Sequence, residues 1–169
     1  MLDVAIEQIL KVKPPAKALF FKVGMILACI VSALFALYVI GLLSLALLIV
    51  GTVLLFQYYD AEYEYTLVEK NLDVDRIMAK SRRKRLGSYN FSKLEIMAPA
   101  GHEKLAEYER TDCKVMNYAS GYNPEHEYVA YVKDGELIKL ILEPNERMLE
   151  AFCKMDSRKV ILQSFMIAE

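Results

Sequence analysis

The chain has 169 residues, of which 55% are hydrophobic, and its 21 Lys and Arg nearly balance 22 Asp and Glu to a net charge of −1. This length allows one small soluble domain beside a membrane segment, and the balanced charge gives no sign of nucleic-acid binding. The three cysteines form no CxxC pair, which is typical of a reduced intracellular protein rather than of a disulfide framework.

Residues 2–12 (LDVAIEQILKV) predict a short amphipathic helix. The apolar side chains that share one helical face are Leu2, Ala5, Ile6, Ile9 and Val12. Charged side chains recur every four residues on the opposite face: Asp3, Glu7 and Lys11. Pro14 and Pro15 end the pattern, so we expect residues 1–17 to form an interfacial helix on the cytoplasmic membrane surface. The alternatives are a frayed N-terminus and a helix that docks on a partner.

No charged side chain occurs from residue 23 to residue 59, and such a run is typical of membrane spans. One helix over this run would be roughly 55 Å long, whereas the hydrocarbon core is about 30 Å thick. We therefore predict a transmembrane hairpin over 18–59, with helices at about 18–40 and 42–59. Gly41 is the predicted break, because glycine allows a turn with positive φ. A signal peptide is not expected, because its apolar region would have only about 7–15 residues.

Aromatic and basic side chains predict how the hairpin lies in the membrane. Aromatic rings stand at both expected interfaces: Phe20, Phe21, Tyr38, Tyr58 and Tyr59. Cations precede the hairpin at Lys11, Lys13, Lys17 and Lys22, and they follow it at Lys80 and at positions 82–85. The positive-inside rule then places both termini in the cytoplasm of a multi-pass plasma-membrane protein.

Residues 60–169 predict a mostly antiparallel β domain. Alternating apolar and polar side chains indicate strands at 62–68, 72–79, 93–98 and 114–119. One more strand is expected to follow the basic stretch 80–85 and to end near residue 89. A short helix is expected at 103–110. The clearest local signal is a hairpin around Asp134 and Gly135, for which we predict a two-residue primed turn. The predicted cross-strand pairs are Lys133 with Glu136, Val132 with Leu137, Tyr131 with Ile138 and Tyr128 with Ile141.

A helix is predicted after the hairpin, with Asn145 as its N-cap. Apolar side chains recur there at helical spacing and should lie on the sheet: Met148, Leu149, Phe152 and Met155. The closing residues 159–168 are apolar and predict either a last strand or a tail packed on the domain or on the membrane.

Many short strands followed by one amphipathic helix resemble a pleckstrin-homology-like (PH-like) domain, in the small bacterial form that follows two membrane spans. The stretches that carry the resemblance are YEYTLVEKNLDVDRIMAKSRRKRL (63–86), LEIMAP (94–99) and LILEPNERML (140–149). With the spans, residues 18–154 are similar to an uncharacterised family of small Firmicutes membrane proteins. The resemblance implies an α+β membrane protein, a two-helix transmembrane hairpin followed by an antiparallel PH-like domain with a C-terminal helix. It implies no activity, cofactor or site residue.

No sequence pattern indicates catalysis, a cofactor or a metal site, so the chain is not expected to be an enzyme. The sequence contains no GxxxxGK, GxGxxG, HExxH or GxSxG motif. His102 is followed by Glu103, and His126 is flanked by Glu125 and Glu127. A metal site is not expected there, because it needs three or four ligands at compatible geometry and adjacent strand residues point to opposite faces. Cys113 and Cys153 have no evident base nearby. The paired carboxylates follow a strand pattern and are expected on its solvated face: Asp73 and Asp75.

The basic stretch KSRRKR is the feature that most strongly indicates a binding surface. Each cation near an anionic cytoplasmic leaflet is worth about 1 kcal/mol. The candidate anionic-lipid contacts, in a predicted basic loop, are Lys80, Arg82, Arg83, Lys84 and Arg85. A solvated turn that only fixes the topology is the alternative.

These observations favour a membrane-anchored, non-enzymatic binding or scaffolding module. Its expected partners are membrane lipid and either another protein or a second copy, with no nucleic acid. The alternative is an accessory subunit of a membrane transport or envelope-assembly complex that interacts through its transmembrane helices. Small residues that could support such helix packing recur every four positions: Gly24, Ala28 and Ser32. Packing of the two spans against each other would use the same residues.

Overall fold

Two long apolar helices interrupt a β domain between its first and second strands. The computed structural model describes residues 5–35 and 39–162. The helices are α1 (Ala16–Leu34), α2 (Val39–Tyr59), α3 (Ala106–Glu109) and α4 (Glu146–Met155). The strands are β1 (Ile6–Lys11), β2 (Ala61–Val68), β3 (Asn71–Met78), β4 (Arg82–Asn90), β5 (Leu94–Pro99), β6 (Lys114–Asn117), β7 (Tyr128–Asp134) and β8 (Glu136–Leu142). Three short 3₁₀ turns complete the described structure.

Helices α1 and α2 are each long and apolar enough to cross a membrane. They pack against each other along a seam whose positions in α1 recur every three or four residues: Ala18, Lys22, Met25, Cys29 and Ser32. Hydroxyl groups face each other across this seam, with 2.7 Å between the Oγ atoms of Ser32 and Ser44. Outside the seam the large apolar side chains are exposed, as lipid-facing side chains would be.

The break between the two helices is not at Gly41. Helix α1 ends at Leu34, and α2 already begins at Val39, so the predicted helices at 18–40 and 42–59 have the wrong inner boundaries. Gly41 is buried inside α2, and its carbonyl oxygen accepts hydrogen bonds from the Oγ of Ser44 at 2.9 Å and of Ser32 at 3.4 Å. Glycine serves here for close helix approach rather than for a turn. The predicted interfacial Tyr38 lies outside the described residues.

The segment before α1 is a strand rather than the predicted interfacial helix over residues 1–17. Strand β1 pairs antiparallel with β2, with Ile6 opposite Leu67 and Lys11 opposite Glu62. Its side chains alternate, since Ile6 packs against the core while Ile9 is 59% exposed. Pairing satisfies the backbone of this segment, whereas an isolated helix of this length is marginal in water.

The β domain consists of two four-stranded sheets. The first sheet has the order β1-β2-β3-β4 and is antiparallel, and the second has the order β5-β7-β8-β6, in which β6 runs parallel to β8. The main core joins both sheets and α4, and its largest buried side chains include Tyr65, Leu72, Met97, Leu140 and Phe152. A smaller apolar cluster on the other face of the second sheet contains Leu105 and Tyr131.

The β7–β8 hairpin exists, but the predicted register is wrong by one residue. Asp134 pairs with Glu136, and the cross-strand pairs continue as Leu137–Lys133, Ile138–Val132, Lys139–Tyr131 and Leu142–Tyr128. A type I′ turn needs positive φ at two central residues, and in this turn only Gly135 has it, at 79°. The observed register keeps Leu140 and Leu142 in the core, whereas the predicted one would place Lys139 there.

The remaining predicted elements agree with the structure to within a few residues. Asn145 caps α4, since its Oδ1 accepts the backbone N–H of Met148 at 2.9 Å, and Phe152 is buried as predicted. In the closing segment, Val160 forms a single parallel bridge to Met97 beside β5. Residues 163–168 of that segment lie outside the described part of the chain.

Candidate membrane-contact site

Both ends of the helical hairpin meet the same end of the first sheet. The backbone N–H of Val12 donates to the carbonyl of Ala61 at 3.0 Å, which joins the chain entering α1 to the chain leaving α2. The backbone N–H of Ala79 donates to the carbonyl of Asp60 at 3.0 Å. The β3–β4 turn at residues 79–81 therefore lies beside the end of α2.

The lengths of the helices indicate where a membrane surface would lie. Helix α1 has 19 residues and α2 has 21, which corresponds to roughly 28 and 32 Å, close to the hydrocarbon thickness of about 30 Å. A hairpin that spans the bilayer must therefore begin and end near the hydrocarbon boundary. Asp60 and the β3–β4 turn then lie in the headgroup layer, which extends roughly 5–8 Å beyond that boundary.

The predicted basic loop is mostly a strand. Lys80 lies in the turn, whereas the four other candidate cations belong to β4. Ala79 and Lys80 both have positive φ, at 51° and 55°, which is the pattern of a primed hairpin turn. Neither residue is glycine or asparagine, so this turn carries backbone strain of about 1–2 kcal/mol per residue.

Strand alternation divides the candidate cations between the two faces of the first sheet. Arg83 and Arg85 lie on the outer face, where they bind carboxylates. A guanidinium nitrogen of Arg83 is 2.9 Å from Glu64, whose side chain is only 4% exposed. Arg85 lies 2.5 Å from Asp73 and 3.7 Å from Asp75. The two predicted strand-face carboxylates thus neutralise Arg85 within the sheet.

The other three cations are exposed and have no such partner. Lys80, Arg82 and Lys84 form no ion pair with any residue that the structure describes. Arg82 and Lys84 point to the face opposite Arg83 and Arg85, because successive strand residues alternate. These three side chains lie at the end of the sheet from which the hairpin emerges.

Arg76 adds a fourth cation that the sequence pattern did not single out. It lies directly opposite Lys84 in the β3–β4 ladder, and its Nε is buried without a hydrogen-bond partner among the described residues. Like charges at directly opposite positions destabilise a sheet. One signal was present in the sequence, since Arg76 continues the core-facing series of Leu72 and Val74 on β3. We call the four side chains Arg76, Lys80, Arg82 and Lys84 the basic end.

The small residues singled out in α1 occupy three different environments. Ser32 is buried in the seam with α2, Ala28 is half-buried, and Gly24 is exposed with nothing within 4 Å of a Cβ placed on it. The structure brings Ser32 against α2 and leaves Gly24 on the outer surface of the hairpin.

The remaining candidates do not form a reactive cluster. The Nδ1 of His102 accepts the backbone N–H of Lys104 at 3.2 Å, and His126 is exposed in a 3₁₀ turn. Cys153 packs against the core, and burial raises the pKa of its thiol. Within residues 5–35 and 39–162 no three His, Cys, Asp or Glu side chains are placed to hold a metal.

A comparison with protein families identifies the architecture. A family model described as a bacterial PH-like domain (DUF6106) matches residues 2–162. Searches of curated proteins and of solved structures give no match. The matched range includes both apolar helices, both sheets and α4. Domains of the PH-like class are typically non-enzymatic binding modules. The chain therefore belongs to the bacterial PH-like domain family.

Proposed function

We propose that this protein is a membrane-anchored binding module whose basic end contacts anionic lipid headgroups on the cytoplasmic leaflet. The observation that carries the proposal is the backbone bond from Ala79 to Asp60, which holds the β3–β4 turn against the end of α2. A cation at this turn lies within the headgroup layer whenever α2 crosses the bilayer. The lysines that precede α1 favour the cytoplasmic side.

The charge arrangement supports an anionic ligand at this end of the sheet. Arg76 and Lys84 face each other directly, and neither is neutralised by a carboxylate of the described residues. A phosphate between them would relieve the repulsion and would accept from the guanidinium in a two-pronged geometry. Four cations at about 1 kcal/mol each would add a few kcal/mol of surface adhesion.

The strained turn supports the same conclusion. An Asn-Gly pair would form a primed turn without strain, but this chain has Ala79 and Lys80 there. Backbone strain of this kind clusters at functional sites. In this turn it keeps an ammonium group at the tip nearest the membrane.

The test measures which lipids the full-length protein retains. The protein is purified in mild detergent from vesicles of mixed phosphatidylcholine and phosphatidylglycerol, and the two retained lipids are quantified by mass spectrometry. We expect phosphatidylglycerol to be enriched over its share in the vesicle, and the enrichment to fall at high salt because exposed charges are screened. Full-length protein is required, because a fragment that starts after α2 would lack β1.

A matched pair of triple variants isolates the basic end. In one variant Lys80, Arg82 and Lys84 are replaced by Ala, and in the other the exposed cations Lys104, Arg110 and Lys114 are replaced by Ala. Both variants lose three positive charges. We expect only the first to lose the phosphatidylglycerol enrichment. Equal retention of this lipid by the wild type and the first variant would refute the proposal.

A further inference from the structure

The loop that follows β6 lies against the chain segment that enters α1. The backbone N–H of Lys13 donates to the carbonyl of Ser120 at 2.8 Å. A Cβ built on Gly121 would lie 3.7 Å from the Cβ of Lys13. The ammonium of Lys13 stands 5.9 Å from the ring centroid of Tyr122. We call residues 119–123 the tyrosine loop.

The tyrosine loop is close to the membrane surface that the helices define. Lys13 comes three residues before Ala16, where α1 begins. Because α1 is barely as long as the hydrocarbon core is thick, its first residue must lie near the boundary. Lys13 and the ring beside it then lie at the headgroup layer, on the side of the domain from which α1 leaves.

A buried carboxylate fixes the shape of this exposed loop. The Oε2 of Glu143 accepts the backbone N–H of Ser120 at 3.1 Å, and its Oε1 accepts the side-chain amide of Asn123 at 3.2 Å. Glu143 is only 6% exposed. Breaking these hydrogen bonds would leave a buried carboxylate unpaired and would cost free energy, so they hold the loop in one conformation. The Oγ of Ser120 accepts the backbone N–H of Tyr122 at 2.9 Å, and Gly121 supplies the positive φ of 75°.

The side chain that this loop presents is an aromatic ring with a polar tip. Tyr122 is 49% exposed, although hydrogen bonds to backbone and side-chain groups hold the loop around it. Tyrosine is one of the two residues enriched at membrane interfaces, where its ring lies among the headgroups and its hydroxyl remains hydrated. The neighbouring lysine adds a cation that can reach lipid phosphate.

We propose that the tyrosine loop is a second membrane anchor, in which the ring of Tyr122 inserts into the headgroup region beside α1. With the basic end it gives the domain two contacts with the lipid surface, at the two points where the sheets meet the hairpin. The domain then has a fixed orientation on the membrane and does not hang from a flexible tether. This inference rests on the membrane anchoring in the proposed function, but not on its preference for anionic lipid.

The absence of tryptophan from the sequence allows a direct test. Tyr122→Trp introduces a single indole at the loop, and Val68→Trp introduces one at the far end of β2, where Val68 has a similar exposure of 46%. Val68 lies seven residues along β2 from Ala61, or roughly 23 Å from the membrane end of the sheet. Each full-length variant is reconstituted into neutral phosphatidylcholine vesicles with and without bromine near the headgroup end of the acyl chains.

We expect the indole at position 122 to emit at shorter wavelength than that at position 68, and to lose intensity in the brominated vesicles. The indole at position 68 should lose none. Quenching of the indole at both positions, or at neither position, would overturn the inference. Because these vesicles carry no anionic lipid, this outcome is independent of the phosphatidylglycerol enrichment that tests the basic end.

Discussion

Arg82 and Arg83 are neighbours in the chain but face opposite sides of β4. Arg83 neutralises Glu64, which is almost fully buried, whereas Arg82 is exposed on the other face as part of the basic end. The five cations of the stretch KSRRKR therefore divide into two sets, two that pair with carboxylates within the first sheet and three that pair with none among the described residues. The pattern of charges alone does not separate them, because the carboxylates come from β2 and β3.

This division predicts that substitutions at two neighbouring positions differ in their effect on the unfolding free energy. Arg83→Ala leaves the carboxylate of Glu64 buried without its charged partner, so it should lower the unfolding free energy by about 1–3 kcal/mol. Arg82→Ala should change it by no more than about 0.5 kcal/mol, as surface substitutions do. Denaturant titration of the full-length protein in detergent measures both. Equal stability of the two variants would show that the Arg83–Glu64 pair contributes nothing.

The strained turn predicts that stability and lipid contact can be separated. Lys80→Gly and Ala79→Gly each remove a non-glycine residue from positive φ, so each should raise the unfolding free energy by up to about 1 kcal/mol. Only Lys80→Gly removes a cation, and it alone should reduce the retained phosphatidylglycerol. If Ala79→Gly reduced the retained lipid equally, the lysine charge would not be the cause.

At the scale of elements, β1 connects the hairpin to the domain. Its Gln8 side chain reaches the junction of β8 and α4, where Nε2 donates to the carbonyl of Glu143 and Oε1 accepts the N–H of Asn145, both at 2.8 Å. Gln8→Ala should therefore cost about 1 kcal/mol, mainly because the carbonyl of the buried Glu143 loses its partner, whereas the exposed N–H of Asn145 can bond to water. Glu7→Ala, on the exposed face of the same strand, is the matched control and should be nearly neutral. If position 7 proved as sensitive as position 8, the strand assignment of β1 would be wrong.

The packing of α1 against α2 can be tested separately, because one glycine faces the other helix and a second glycine faces outward. A Cβ on Gly51 would lie 3.2 Å from the Cε of Met25 in α1, whereas one on Gly24 meets nothing within 4 Å. Gly51→Ile should separate the helices and cost about 1–3 kcal/mol through overpacking. Gly24→Ile should leave the thermal midpoint in detergent unchanged. A larger loss from Gly24→Ile would instead indicate that the outer surface of α1 packs on a partner.

The elements whose signals are local can be predicted from the sequence. The apolar run predicted both spans, alternation predicted β2 and β3, and Asn145 with its apolar stripe predicted α4. Strand β1 was missed because its partner β2 follows only after the whole hairpin, and an eleven-residue pattern cannot reveal that pairing. The β7–β8 register was missed by one residue because it is set by burial of Leu140 and Leu142, not by the Asp-Gly pair alone.

The candidate site was only partly predictable for the same reason. KSRRKR contains three of the four cations of the basic end, but long-range contacts decide which of its cations pair with carboxylates. Arg76 comes from β3 and lies beside these cations only through the fold, and the tyrosine loop comes next to Lys13 in the same way. The local signal for Arg76 is its position on β3, where it continues the core-facing alternation of Leu72 and Val74.

For the whole molecule, the pairing of β1 with β2 has a topological consequence. The two strands flank the helical hairpin and belong to one sheet, so a hairpin in the membrane must enter and leave on the same side. The membrane contacts that we propose for the basic end and for the tyrosine loop both depend on this arrangement. One crossing, or none, would place these surfaces away from lipid or on opposite sides of it.

Reporter fusions in bacterial cells test this arrangement most directly. Green fluorescent protein, which fluoresces only in the cytoplasm, and alkaline phosphatase, which is active only outside it, are each fused to the first and to the last residue of the full chain. We expect fluorescence and no phosphatase activity at both ends, with the protein in the membrane fraction. Phosphatase activity at either end, or recovery of the protein in the soluble fraction, would contradict it.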